Sequence, residues 1–338
     1  MNLDRRYYPE VDKLKAFATI IVILTHILAE HKGGAPYLNL IWELIHFSVG
    51  IFVFVSGFLH ATSKDVPITY QDIWRSIAKR VIRIVKPYYL YVLLFIVAMA
   101  IMGRFGELIQ KADWKYVFNT VFLLGGVGYA WIPRLFLSLY IVIISLQLLS
   151  RVRAFKYIII AFLILSMIFS AITQFVEIDF LSKFNFVFGW FIIYIAGFFL
   201  QKFYKHINVT WVFAISSIGT LILLGILLLF GLNTSLFHNE YPPTPYFILY
   251  NLAVIALLWM IATKVNLLGV VHSAVEWLSR HAYEMFLYHL LFLYIIFRSV
   301  RINIVVDFFL VLFSTVLLIV GMEKIQEALK RRLPLKSF

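Results

Sequence analysis

Long apolar runs separated by short polar connections dominate the chain. Ten such runs can be drawn, at residues 14–29, 41–61, 86–103, 130–150, 156–175, 184–202, 210–231, 246–263, 275–297 and 303–323. A helix needs about 20 apolar residues to cross a hydrocarbon core, and lipid offers the backbone no hydrogen-bond partner but itself. The pattern predicts an all-α, polytopic transmembrane helix bundle of about ten spans. No linker, repeat or low-complexity tract divides it, so residues 1–338 read as a single membrane domain.

Two connections carry more pattern than a loop needs. In residues 69–86, Ile73, Ile77, Val81 and Ile84 recur at helical spacing, with Arg75, Lys79, Arg83 and Lys86 opposite them. This predicts a basic amphipathic helix on anionic lipid, with a phosphate-binding surface as the functional alternative. Residues 238–246, HNEYPPTPY, are stiffened by three prolines. They read as a simple loop, with a lid as the alternative.

Composition agrees with the pattern. The chain is 62% hydrophobic and 14% charged, with a mean hydropathy of +0.91. Soluble domains are about 45–50% apolar and about 25% charged, so a water-soluble globule and a disordered chain are both excluded. The net charge of +13 would suggest a nucleic-acid partner in a soluble protein. Its distribution argues otherwise. With the N-terminus in the cytoplasm, 21 of the 30 Lys and Arg residues fall in inner segments and 7 in outer ones, while Arg134 and Arg280 lie within spans. This positive-inside bias sets topology, and an even number of spans places both termini inside. Membrane lipid, and no nucleic acid, is the expected partner. The absence of cysteine removes disulfides, a thiol nucleophile and cysteine-ligated metals. No cleavable leader pattern precedes the first run, so the spans themselves are expected to target the protein.

Ionisable groups at membrane depth are costly and usually functional. In the first span Lys15 and His26 are eleven residues apart, about 16 Å along a helix. Asp12 stands where it can pair with Lys15, and His26, in the outer half, can serve as a general base or as a hydrogen-bonded core residue. The ninth run holds Glu284, Tyr288 and His289, with His281 and Tyr283 nearer the inside. His289 is placed to share a cavity with His26. Glu43 and His46 open the second run, but nothing like H-E-x-x-H is present, and no metal is expected. Gly50 and Gly57, seven apart, suit close helix packing. Ser56 lacks the glycine elbow of a serine nucleophile. Trp131, Arg134 and Tyr140, near Tyr129, read as an outer aromatic belt or as a platform for stacking sugar rings.

Taken together, these residues resemble the acyltransferase-3 family of multispanning membrane acyltransferases. Lys15 and His26 match its first-helix pattern of a basic residue, ten residues, then His, with Asp12 at the acidic position before it. Ser56-Gly57-Phe58 matches its Ser-Gly-Phe. Arg80, Arg83, Pro87, Tyr88 and Tyr89 match its Arg-x-x-Arg before a Pro-aromatic start, and Tyr283, Tyr288 and His289 match its last motif. Residues 184–205 and Thr244-Pro245-Tyr246 resemble the polysaccharide intercellular-adhesin branch, which accompanies poly-N-acetylglucosamine synthesis. Two departures stand out. Lys15 replaces the more usual Arg and loses its bidentate fork, and the start of the fourth run, Ala130-Trp131-Ile132-Pro133 with Phe136, offers no carboxylate. No fused hydrolase domain is expected.

The resemblance implies transfer of an acetyl or succinyl group from cytoplasmic acyl-coenzyme A to a hydroxyl of an extracytoplasmic glycan, in a bacterial inner or cytoplasmic membrane. Under it, His26 is the catalytic residue and His289 its assistant, while Lys15, Arg80 and Arg83 bind the donor. Two other readings stand beside this one. One is a polysaccharide exporter or flippase, for which no paired broken spans are visible. The other is a non-catalytic partner of glycan synthesis proteins.

Overall fold

The computed structural model describes residues 8–31, 35–62, 69–128, 130–149, 155–175, 179–204, 206–299 and 302–332. Tyr129 and the basic residues Arg5, Arg6, Lys32, Lys64, Arg151, Arg153, Lys205, Arg301 and Lys336 lie outside them. Among the described residues the chain is all α, with no strand. The helices are α1 (Pro9–Glu30), α2 (Pro36–Leu44), α3 (Ser48–Ala61), α4 (Tyr70–Ile101), α5 (Phe105–Lys111), α6 (Trp114–Val121) and α7 (Trp131–Leu149). They continue as α8 (Phe155–Phe175), α9 (Asp179–Lys202), α10 (Val209–Leu229), α11 (Pro245–Lys264), α12 (Gly269–Arg280), α13 (Ala282–Ser299) and α14 (Ile304–Arg332). A 3₁₀ turn, His238–Glu240, sits in the connection between α10 and α11.

Every apolar run falls on helix, but the runs and the helices are not identical. Among the described residues, five stretches are long and apolar enough to cross a membrane: Pro36–Ala61, Tyr70–Ile101, Val209–Leu229, Pro245–Lys264 and Ile304–Leu329. α1 falls short because Glu10, Asp12, Lys13 and Lys15 crowd its start and Glu30 its end, leaving only residues 16–29 uncharged. The run 41–61 is broken at Ile45–Phe47, between α2 and α3. The run 275–297 is broken at His281, between α12 and α13. Sequence pattern shows neither turn, because hydropathy does not register a turn made of residues as apolar as their neighbours, and Pro36–Ala61 still counts as one candidate span across its turn.

The basic segment 69–86 is not a separate surface helix. It is the first half of α4, which continues through Pro87 as one helix of 32 residues. A capping box starts it. The Asp72 amide donates to Thr69 Oγ1 at 3.1 Å, and the Thr69 amide donates to Asp72 Oδ2 at 3.2 Å. The inward face is also turned from the one drawn on sequence. Ile84 is buried and Ile73 and Ile77 half-buried, with Ser76 and Arg80 alongside them, whereas Val81 and Ile82 are exposed.

α1 is the central helix and packs against α2, α3, α11, α12, α13 and α14. Polar contacts clasp both its ends. Lys13 Nζ donates to the carbonyls of Ala262 (2.7 Å) and Val265 (2.6 Å), satisfying the C-terminal end of α11. Ser279 of α12 donates its hydroxyl to Asp12. At the other end His31 Nε2 lies 2.9 Å from Asp307 Oδ2, at the start of α14. His281, beside α12, pairs with Glu323 late in α14 at 3.0 Å. The beginning of α1 and the end of α14 therefore share one end of the bundle, termed the basic end; the opposite end is the distal end.

α3 and α9 make the tightest crossing. A Cβ on Gly57 would overlap the carbonyl of Tyr194, and one on Gly197 would overlap the carbonyl of Phe54. Gly50 faces a different helix and meets Asn251 of α11. The two glycines seven apart thus serve two neighbours rather than one.

The distal connection 232–244 is a built cap. Glu43 accepts from Ser235 Oγ at 2.8 Å and from the Phe237 amide at 3.2 Å. Asn239 donates to the carbonyls of Asn233 and Ser235, and accepts from Thr244 Oγ1 at 2.8 Å. Asn239, Glu240, Thr244 and Leu236 are all buried. Such a hydrogen-bonded, buried turn is more than the simple loop expected from its prolines.

Candidate functional site

Polar side chains gather at two levels along α1. The upper group, towards the distal end, is made of imidazoles. The rings of His26 (α1) and His289 (α13) lie with centroids 5.2 Å apart. His289 is fully enclosed, and His26 keeps a little accessible surface. His26 is also within electrostatic reach of His46, which sits in the break between α2 and α3. His26 therefore faces into the bundle, as a chemical role requires.

The hydrogen bonds fix two of the three tautomers. His289 Nδ1 lies 3.0 Å from the carbonyl of Met285, one turn earlier. A carbonyl only accepts, so Nδ1 carries the hydrogen and Nε2 presents a lone pair. That Nε2 is buried and has no hydrogen-bond partner among the described residues. His46 repeats the arrangement, its Nδ1 donating to the Trp42 carbonyl at 2.6 Å. The break in the helix places His46 between Trp42 (ring centroids 4.3 Å) and Phe237 of the distal cap (5.4 Å).

The lower group, at the basic end, is cationic and phenolic. Lys15 lies within electrostatic reach of Asp12, Arg83 and Glu284. Arg80 points inward from α4, with its guanidinium carbon 5.4 Å from the centre of the Tyr140 ring. Its electrostatic neighbours are Tyr194, Arg83, Tyr140 and Tyr283. Arg80 Nε is a buried donor without an acceptor among the described residues. Ser76 and Tyr140 share a hydrogen bond, and the Tyr283 hydroxyl donates to the Ile84 carbonyl at 2.9 Å. His60, at the end of α3, completes the group beside Tyr140 (5.6 Å) and Tyr194 (6.4 Å). Arg83 is exposed, one turn beyond Arg80.

The structure thus joins His26 with His289 at one level of α1, and at the other brings Lys15 near Arg83, which in turn neighbours Arg80. It also redistributes several residues. Glu43 holds the distal cap, and Glu284 sits with Lys15 rather than with the imidazoles. Tyr140 leaves the distal aromatic belt for the basic end, because it lies nine positions beyond Trp131 along the same helix. Trp131 instead meets Tyr241 of the distal cap at 4.9 Å. Sequence reasoning did not select His46, His60, Ser76 or Tyr194. Only His46 had a signal there, an imidazole three residues from a carboxylate at the mouth of an apolar run.

The long apolar helices define a multi-pass membrane protein, and its interior encloses imidazoles and the inward-pointing Arg80. The acyltransferase domain profile matches residues 8–323, nearly the whole chain, and the chain belongs to the acyltransferase-3 family. It is in general terms a membrane acyltransferase. No curated protein and no solved structure matches it.

Proposed function

We propose that the protein transfers a small acyl group, acetyl or succinyl, from acyl-coenzyme A at the basic end to a hydroxyl of a glycan at the distal end. The basic end then faces the cytoplasm of a bacterial cell, and about ten helices cross the inner or cytoplasmic membrane. The observation that carries the reading is the division of α1, with Lys15 near Arg83 at one level and His26 against His289 at the other.

The residues suit the donor. Coenzyme A brings several phosphate charges, and guanidinium groups bind phosphate oxygens in strong, charge-assisted pairs. Arg83 is exposed for the first contact, and the unpartnered Arg80 Nε supplies a donor deeper in. Lys15 steers the arm that carries the thioester towards the imidazoles. There His26 removes the proton of the acceptor hydroxyl as its oxygen attacks the thioester carbonyl. The tetrahedral intermediate collapses to an ester, and the departing thiolate takes the proton from His26. His289, its Nε2 lone pair held forward by the Met285 carbonyl, orients the hydroxyl or shares the proton.

The resemblance of residues 184–205 and 244–246 to the poly-N-acetylglucosamine branch supports an acceptor of that kind and a place alongside glycan synthesis proteins. The break at Ile45–Phe47 favours an exporter as the second reading, since interrupted helices line transport sites. One assay separates them. Purified protein is incubated with acetyl- or succinyl-coenzyme A and a glycan acceptor, and free thiol and glycan mass are followed. Transfer is expected, with His26→Ala lowering it about 10²–10⁴-fold. No transfer from either donor, while unmodified polymer still needs the protein for export, would overturn the enzyme reading. Full transfer by His26→Ala would overturn the catalytic assignment alone.

A further inference from the structure

The distal end holds an aromatic and carboxyl corner that the steps above do not use. Trp131, at the start of α7, and Tyr241, in the cap, stand nearly perpendicular at 84° with centroids 4.9 Å apart. Tyr241 is 40% exposed, and Trp131 is half-buried. Glu240 is buried directly beneath, and the Tyr241 hydroxyl donates to its carboxyl. We propose that Trp131, Tyr241 and Glu240 form a carbohydrate subsite that seats a hexopyranose unit of the acceptor glycan before its hydroxyl reaches His26. This inference rests on the acyl-transfer reading and specifies its acceptor side.

Three observations carry it. First, the rings are held in advance of any ligand. Trp131 lies against the enclosed Trp190 (6.5 Å, 27°), which Phe247 supports edge-on (5.7 Å, 83°). On the cap side, Glu43 anchors Ser235 and Phe237, Thr244 is tied to Asn239, and Pro243 lies so close to Gly189 that a Cβ there would come within 2.7 Å of its carbonyl oxygen. Rigid rings lose little entropy when a ligand stacks on them. Second, the chemistry is that of a sugar site rather than a lipid contact. A pyranose presents apolar C–H faces and polar hydroxyl edges. A perpendicular ring pair suits the faces, and a carboxyl that can accept and donate suits the edges. Rings that only meet lipid need no carboxyl and no buried Asn239 and Thr244 beneath them. Third, the corner lies at the same end as the imidazoles and is linked to them through packed rings. Tyr241 touches Phe237 (6.3 Å), Phe237 touches His46 (5.4 Å), and His46 lies within electrostatic reach of His26.

The test uses the full chain in detergent or nanodiscs, with β-linked N-acetylglucosamine tetrasaccharide and maltotetraose as probes. Tryptophan fluorescence and calorimetry report binding. The wild type is expected to bind at least one probe. Tyr241→Ala should weaken it about tenfold or more, a loss of at least about 1.4 kcal/mol, while Tyr241→Phe keeps most of the affinity because the ring remains. Glu240→Gln, nearly isosteric and therefore safe for folding, should weaken binding without moving the thermal midpoint at pH 5. Trp114→Ala removes an 80% exposed tryptophan from α6 and should leave binding unchanged. Failure of the wild type to bind either probe, or equal binding by wild type, Tyr241→Ala and Glu240→Gln, overturns the subsite. Thiol release from acyl-coenzyme A by the wild type is measured in parallel. Release without carbohydrate binding sinks the subsite and leaves acyl transfer standing; absence of release sinks the transfer reading itself.

Discussion

At the scale of the residue, Glu240 shows how place decides protonation. Burial in the distal cap pushes its carboxyl up from 4.5 to about 8, and the hydrogen bond from Tyr241 offsets only part of this. Because the folded protein holds the proton more tightly than the unfolded chain, the contribution is complete below about 4.5. It falls as the pH rises towards about 8, where the folded carboxyl also ionises. Thermal melts between pH 5 and 9 should show wild-type stability declining across this window and a flatter profile for Glu240→Gln. Parallel profiles would remove Glu240 as the cause. The same scale shows what sequence can and cannot reveal. Lys15, His26 and His289 were legible because an ionisable residue inside an apolar run is conspicuous on its own. Glu240 was not, because it stands among the polar residues of HNEYPPTPY, and only the folded cap encloses it. Arg80 was legible as a cation, but its inward direction was not, since Val81 looked equally suited to that face.

At the scale of the element, the α3–α9 crossing is set by paired glycines. Each lets the other helix's backbone approach to a distance at which no side chain fits. Gly57→Ala and Gly197→Ala should each destabilise the protein by about 1–3 kcal/mol, as overpacking does. The double variant should lose less than the combined single losses, because the first methyl already parts the helices and makes room for the second. Thermal midpoints of the three variants in one detergent check this, and full additivity would mean that the glycines act independently. The small-residue spacing at Gly50 and Gly57 was visible in sequence. Their different partners were not, since a spacing of seven says that two residues share a face and nothing about how many helices that face meets. Hydropathy likewise found the second half of α4 but left the first half to a surface helix, because five cations, Arg75, Lys79, Arg80, Arg83 and Lys86, keep it out of the apolar run.

At the scale of the whole molecule, the absence of cysteine makes orientation directly measurable. Arg75→Cys and Trp114→Cys each introduce a single thiol at an exposed position, one at the basic end and one at the distal end. A membrane-impermeant maleimide should label Trp114→Cys on intact cells and Arg75→Cys only after permeabilisation. The reverse result would invert the topology and move the donor to the other side. The helical class was legible from apolar runs alone, because lipid leaves the backbone so few options. The order of helices around α1 was not, since pattern within a segment carries no information about which distant segment it meets.

That central place of α1 bears on how the protein is made. α1 finds its polar partners in Ala262, Ser279, His289 and Asp307, one from each of the four helices α11–α14. Until those helices are made, Asp12, Lys13 and His31 therefore stand at the translocon, or against lipid, without these partners. α2 and α3 can pack on α1 early, but only when α11–α14 arrive is its surround complete. A polypeptide that stops before α13 therefore cannot assemble the imidazole pair.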